Sequence, residues 1–214
     1  MTIQITTELV KELRNATGIS VMQCKRALEE AEGDTKKALA ILKKTSSDIA
    51  LKKADRKASD GAVMIKSEDK KAVLVALHCE TDFVSRNEDF TSLLAKLTDM
   101  AFKDGIEKMR ENAKDMIDPV IQKTGENIQF GDTYLVKGNI LGNYTHNNKS
   151  AAIVSLDGGN QELAKDIAMH VVAMQSENEK TLLDQPFIKN LDETISGLLE
   201  KSKAKIKEIK FYSI

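Results

Sequence analysis

The chain has 214 residues, 41% hydrophobic and 30% charged. That suffices for one large domain or a small one plus a medium one, and it excludes a disordered chain. Net charge is −1, from 32 basic and 33 acidic residues, without the basic excess of a typical nucleic-acid binder. The basic clusters Lys52-Lys53 with Arg56-Lys57, and 201–210, read as solvated faces. No run of eighteen apolar residues could span a membrane, and Met1-Thr2-Ile3-Gln4 opens no secretory signal, so a cytoplasmic protein is expected. Cys24 and Cys79 form no C-x-x-C pair, so no metal and no cofactor are expected. A reducing cytosol implies two free thiols, although the sequence is also compatible with a bridge between them.

Residues 5 to about 45 predict three short helices. Leu9, Val10, Leu13 and Ala16 form the stripe of the first, which stops at Gly18. Ser20 and Gln23 make a capping box for the second, with Cys24, Ala27, Leu28 and Ala31 inward. Gly33 ends it, and Asp34 caps a third helix with the stripe Ala38, Leu39, Ile41 and Leu42. The polar stretch 46–60 reads as a linker with some helix.

From Gly61 the period changes. Residues 61–66 and 72–77 predict a strand pair around a polar turn; the second is an apolar run typical of a strand covered on both faces. A helix from about Asn87 turns Phe90, Leu93, Leu94, Leu97 and Ala101 inward, and charged helical sequence continues to about Lys114. Asp118-Pro119 reads as a further helix start. Strands follow at 128–136, 139–146 and 151–156. A helix after Gly158-Gly159 carries Leu163, Ile167, Val171 and Met174, and a helix at 192–201 and a strand at 206–212 close the chain. The hairpins 61–77 and 138–156 echo one another, and each leads to a helix. The expected fold class is therefore α+β: a three-helix bundle (1–45), a linker (46–60), and two related α+β subdomains with antiparallel sheets (61–137 and 138–214).

The two hairpin-to-helix junctions differ. The second passes through Asp157-Gly158-Gly159; the first inserts Cys79-Glu80-Thr81-Asp82-Phe83-Val84-Ser85-Arg86-Asn87. Phe83 there is either a core plug or hydrophobic staple, or an exposed wedge in a loop that carries recognition. No phosphate loop, dinucleotide fingerprint or H-E-x-x-H motif is present, and His170 reads as a satisfied core residue, so no enzyme is expected.

Glu80-Thr81-Asp82-Phe83-Val84-Ser85-Arg86-Asn87 resembles the T-D-F-V segment of the elongation factor Ts family. Leu13-Arg14-Asn15-Ala16-Thr17-Gly18 with Met22-Gln23-Cys24-Lys25-Arg26-Ala27-Leu28 resembles its N-terminal signature. Gly125-Glu126-Asn127-Ile128, Gly142-Asn143-Tyr144-Thr145-His146 and the block 164–171 resemble three further segments, in family order. The resemblance implies a UBA-like bundle that docks on the GTPase domain of elongation factor Tu. It also implies a guanine-nucleotide exchange function in which Thr81, Asp82, Phe83 and Val84 disturb the magnesium and phosphate site of Tu. By the same carry-over, Arg14, Met22, Cys24, Lys25, Gly125, Ile128 and His146 are further partner contacts. No membrane or nucleic-acid partner is implied. Met174 reaches Gln185-Pro186-Phe187 in about a dozen residues, so the coiled-coil insertion common in the family is expected to be absent, as is a C-terminal helix beyond the last strand. Ile19-Ser20-Val21 departs from the usual signature. The alternative is an adaptor that binds protein or RNA without exchange activity.

Overall fold

A computed structural model describes residues 5–175 and 179–214; the N-terminal tetrapeptide lies outside them. Three helices lead: α1 (Thr7–Thr17), α2 (Val21–Glu30) and α3 (Thr35–Lys53). Their starts follow from side-chain acceptors. Thr6 takes the Leu9 amide, Ser20 the Gln23 amide, and Asp34 the Lys36 and Lys37 amides. Ser20 also donates its hydroxyl to Gln23 Oε1 at 2.8 Å, so the box closes through side chains. Val10, Leu13, Cys24, Leu28, Ala38 and Leu42 fill the bundle core. Ala16 and Leu39, expected inside, instead line a cleft between the bundle and the helices of the body.

Helix α3 extends through residues 46–53, the first part of the expected linker, and docks the bundle on the body. Ala50 enters the body's core, Ser47 Oγ donates to Asp118 Oδ2 at 2.6 Å, and Lys43 pairs with Asp115 at 2.6 Å.

The body contains two three-stranded antiparallel sheets. One is β1 (Asp60–Glu68), β2 (Lys71–Cys79) and β3 (Gln129–Lys137), in that order. Between β2 and β3 the chain forms α4 (Asp82–Ser85), α5 (Glu88–Asp104) and α6 (Ile106–Thr124). The second sheet is β4 (Ile140–His146), β5 (Ser150–Asp157) and β8 (Lys205–Ser213). Helix α7 (Gln161–Met174) packs on it, followed by α8 (Glu179–Leu183), the short pair β6 (Pro186–Phe187) and β7 (Asn190–Thr194), and α9 (Ile195–Lys201).

The period-two geometry of a strand sorts the apolar run of β2 onto two faces. Val73, Val75 and Leu77 pack with α5 and α6, while Ala72, Leu74 and Ala76 face the second sheet. Strand β5 mirrors this: Ala152, Val154 and Leu156 pack with α7, while Ala151 and Ile153 meet the first sheet. The two sheets thus share a central layer, each backed by its own helices.

Further expectations fail in the body. Asp118-Pro119 starts no helix and lies inside α6, where the buried Asp118 accepts from Ser47 and Lys114. Proline there loses one backbone bond, which packing offsets. The break falls at Gly105, whose φ of 98° and ψ of 160° suit a residue without Cβ. Lastly, residues 190–194 form strand β7 rather than the start of a helix, and α9 begins only where Thr194 caps it by accepting the Gly197 amide. Met174, expected inward, is half-exposed at the end of α7.

Candidate functional site

The segment after β2 is a single helical turn. Ser85 N–H donates to Thr81 O (3.2 Å), Arg86 N–H to Asp82 O (3.3 Å) and Asn87 N–H to Val84 O (2.9 Å). Asn87 then caps α5 by accepting the Asp89 amide at 2.8 Å. Successive residues of a helix point about 100° apart, so one turn aims its side chains in different directions. Val84 and Ser85 point inward and are buried, with Val84 in the core under α5. Phe83 points outward and is 82% exposed. The core-plug alternative for Phe83 is thereby excluded. Asp82 pairs with Arg86 at 3.4 Å on the surface, a contact of small energy.

The turn is gripped from both ends. At its start, Glu126 accepts the Glu80 amide (3.0 Å), the Thr81 amide (3.0 Å) and the Thr81 hydroxyl (2.6 Å). Thr81 precedes the helix yet gives it no side-chain cap, because its hydroxyl is turned to Glu126. Asn127 N–H donates to Glu80 Oε1 at 2.8 Å, which with the nearby Arg56 holds the Glu80 carboxyl below the usual carboxylate range. Asn127 also donates its side-chain amide to the Ala54 and Arg56 carbonyls, and Lys53 reaches the Gly125 carbonyl. At the far end, Lys149 on the β4–β5 turn donates to Asp60 Oδ1 (2.6 Å), Gly61 O (2.6 Å) and Ser85 Oγ (3.1 Å). Burial pushes the Asp60 carboxyl up, but the Lys149 ammonium, the Ser85 hydroxyl and the Gly61 amide outweigh it, and the net shift is downward. Beneath the turn, burial and then the charges of Asp60 and Glu126 push the Cys79 thiol up to about 12. It is an inert thiol donating to Thr81 O at 3.2 Å.

The other expected contacts divide by location. His146 is exposed at the end of β4, with Nδ1 3.2 Å from Tyr144 Oη. Its hairpin is tied to the Phe83 turn by Lys149, and Asn148 O accepts the Val63 amide at 2.8 Å. Gly125 ends α6 in the left-handed region, directly before Glu126. These two therefore join the Thr81–Val84 turn on one body. Arg14, Met22 (60% exposed) and Lys25, which pairs with Glu29, are exposed on the bundle. Two expectations are corrected. Cys24 is fully buried in the bundle core, its Sγ 3.6 Å from Ile19 O, and Ile128 is buried in the core under α5 and α6. Neither side chain can meet a partner without opening the fold; both are packing residues. Glu126, Asn127 and Lys149 bond the turn and its flanks; the sequence places the first two in a family segment without a role and does not single out Lys149, since nothing local marks a contact made across 45 or more residues.

Of the described residues, no cluster of three His, Cys, Asp or Glu could hold a metal, and no helix is long and apolar enough to cross a membrane. The family model described as "Elongation factor TS" matches residues 80–178. An elongation factor Ts of Marinobacter nauticus is 39% identical over 210 residues, covering 95% of this chain and 69% of the relative. One of Hahella chejuensis is 42% identical over 177 residues, covering 79% of this chain and 62% of the relative. One of Pseudomonas fluorescens is 41% identical, covering 81% and 61%. The chain thus spans about three fifths of the length of most of the curated relatives it matches. With this similarity across nearly the whole chain, the protein belongs to the elongation factor Ts family.

Proposed function

We propose that the chain is a guanine-nucleotide exchange factor for elongation factor Tu in the cytoplasm, acting in translation elongation without chemistry of its own. The observation that carries this is an aromatic side chain, 82% exposed, on a turn gripped from both ends. Leaving such a ring in water forgoes about 1.5–3 kcal/mol of burial energy, which becomes available when a partner covers it. Magnesium and the phosphate loop of a GTPase hold GDP only in near-ideal geometry. A ring that binds best to a distorted partner stabilises the distortion, and about 1.4 kcal/mol of such preference is tenfold in nucleotide affinity. Phe83 alone therefore supplies about one to two orders of magnitude. Asp82, the exposed Arg14, Met22, Lys25 and His146, and the half-buried Gly125 extend the interface, with the UBA-like bundle as a docking unit. Coupling is reciprocal, so GDP weakens the factor's own binding by the same ratio.

The test is release of fluorescent GDP from elongation factor Tu, followed with excess unlabelled nucleotide. Acceleration that rises with the concentration of this chain supports the proposal. Binding to Tu without acceleration would make the chain an adaptor instead.

A further inference from the structure

We propose that Glu126 is the positioning residue of the exchange turn: its carboxylate, reaching across from the end of α6, sets the angle at which Phe83 stands clear of the fold. This inference rests on the reading of Phe83 as the tip that enters the partner.

Helix α4 has four residues, far below the length at which a helix holds itself. Its N-terminal neighbour Thr81 provides no cap. The three donors at its entry, the amides of Glu80 and Thr81 and the Thr81 hydroxyl, instead converge on one side chain 45 and 46 residues away. An ionised carboxylate is acceptor-only, with two oxygens and about four lone-pair directions, so it takes all three at once. Such charge-assisted bonds are about twice as strong as neutral ones.

Glu126 is itself on a fixed frame. Gly125 before it closes α6, and its carbonyl is held by Lys53. Asn127 after it is bonded to Ala54 and Arg56. The clamp is reciprocal: Glu126 takes the Glu80 amide while the Glu80 carboxylate takes the Asn127 amide. Lys149 holds only the far end, through Ser85. With Glu126 removed, α4 keeps that tether and loses its entry angle. The turn then populates the competent orientation only part of the time, and the apparent rate falls with that fraction.

Two measurements test this. The first needs no partner: deuterium uptake at the amides of residues 85–87, which close α4 and its exit. Glu126→Ala should speed uptake there by about tenfold, with the Glu80 and Thr81 amides, which lose their own acceptor, also faster and the chain away from this turn unchanged. Glu126→Gln, which keeps the volume and one acceptor oxygen, should give a smaller increase. The second is a double-mutant cycle in nucleotide release. Glu126→Ala should slow release about tenfold when Phe83 is present and cause no further slowing in a Phe83→Ala chain. Unchanged uptake in both Glu126 variants overturns the proposal. So does equal slowing with and without Phe83, which would mean that Glu126 acts by its own contact or by general damage. If the wild-type chain releases no nucleotide at all, the exchange reading fails alone, and the uptake measurement still decides whether Glu126 sets the turn.

Discussion

The two sheets meet their backing helices through junctions that solve the same problem differently. After β5 the chain needs only Gly158 and Gly159 before Asn160 caps α7. Both glycines have φ near +80°, and a Cβ on Gly158 would lie 2.2 Å from the Lys203 carbonyl. After β2 the chain spends a further helical turn before Asn87 caps α5 in the same manner. The second junction shows that strand-to-helix connection does not require the extra residues. The first therefore carries something the fold does not need, and what it carries is an exposed phenyl ring. Within that turn the division is sharp: Val84 serves the core, and its neighbour Phe83 serves nothing inside the chain.

Four substitutions or conditions press on this contrast. Gly158→Ala should be the most damaging, because it combines a disfavoured φ with a backbone clash; a loss of about 3 kcal/mol in denaturant-induced unfolding is expected. Val84→Ala should cost about 2 kcal/mol by opening a cavity under the turn, visible as an earlier thermal midpoint. The second unit should also carry its own sensitivity to acid. His170 is buried, donating through Nε2 to Gln185 at 2.9 Å and accepting the Ile188 amide at Nδ1, and burial lowers its pKa below 6.5. Its contribution is complete above about pH 6.5. Below that value the unfolded chain takes up a proton that the folded one resists, so stability falls as pH falls. His170→Gln should flatten this dependence in unfolding curves taken between pH 7.5 and 5.5. Smallest of all, Phe83→Ala should change stability by less than about 0.5 kcal/mol, as for an ordinary surface position. A large loss there would erase the contrast between the junctions.

Much of the architecture is legible locally. The apolar run 72–77 announces a strand covered on both faces, and Ser20, Asp34 and Asn87 sit where helix starts require acceptors. What escapes is decided at a distance. The end of α3 fully buries only the small Ser46 and Ala50, with Ile49 partly buried beside them, too short an apolar stripe to distinguish it from a linker. Asp118-Pro119 has the chemistry of a helix start, but Asp118 spends its carboxylate on Ser47 and Lys114 while the chain breaks at Gly105. Likewise, resemblance transfers residue identity without side-chain direction: it implies partner contacts at Cys24 and Ile128, which both lie in cores, as the apolar stripe of α2 already indicates for Cys24. Phe83 could be placed in its loop from sequence but not aimed, since its direction depends on Glu126 and Lys149, both remote in the chain.

The most direct test of the central claim is release of fluorescent GDP from elongation factor Tu by the Phe83→Ala chain, measured beside its melting curve and its binding to Tu. The account predicts release slowed by at least about tenfold, with the fold intact and binding retained. Undiminished acceleration would contradict it, as would a fall in the melting temperature of more than about 5 °C, which would return the ring to a structural role.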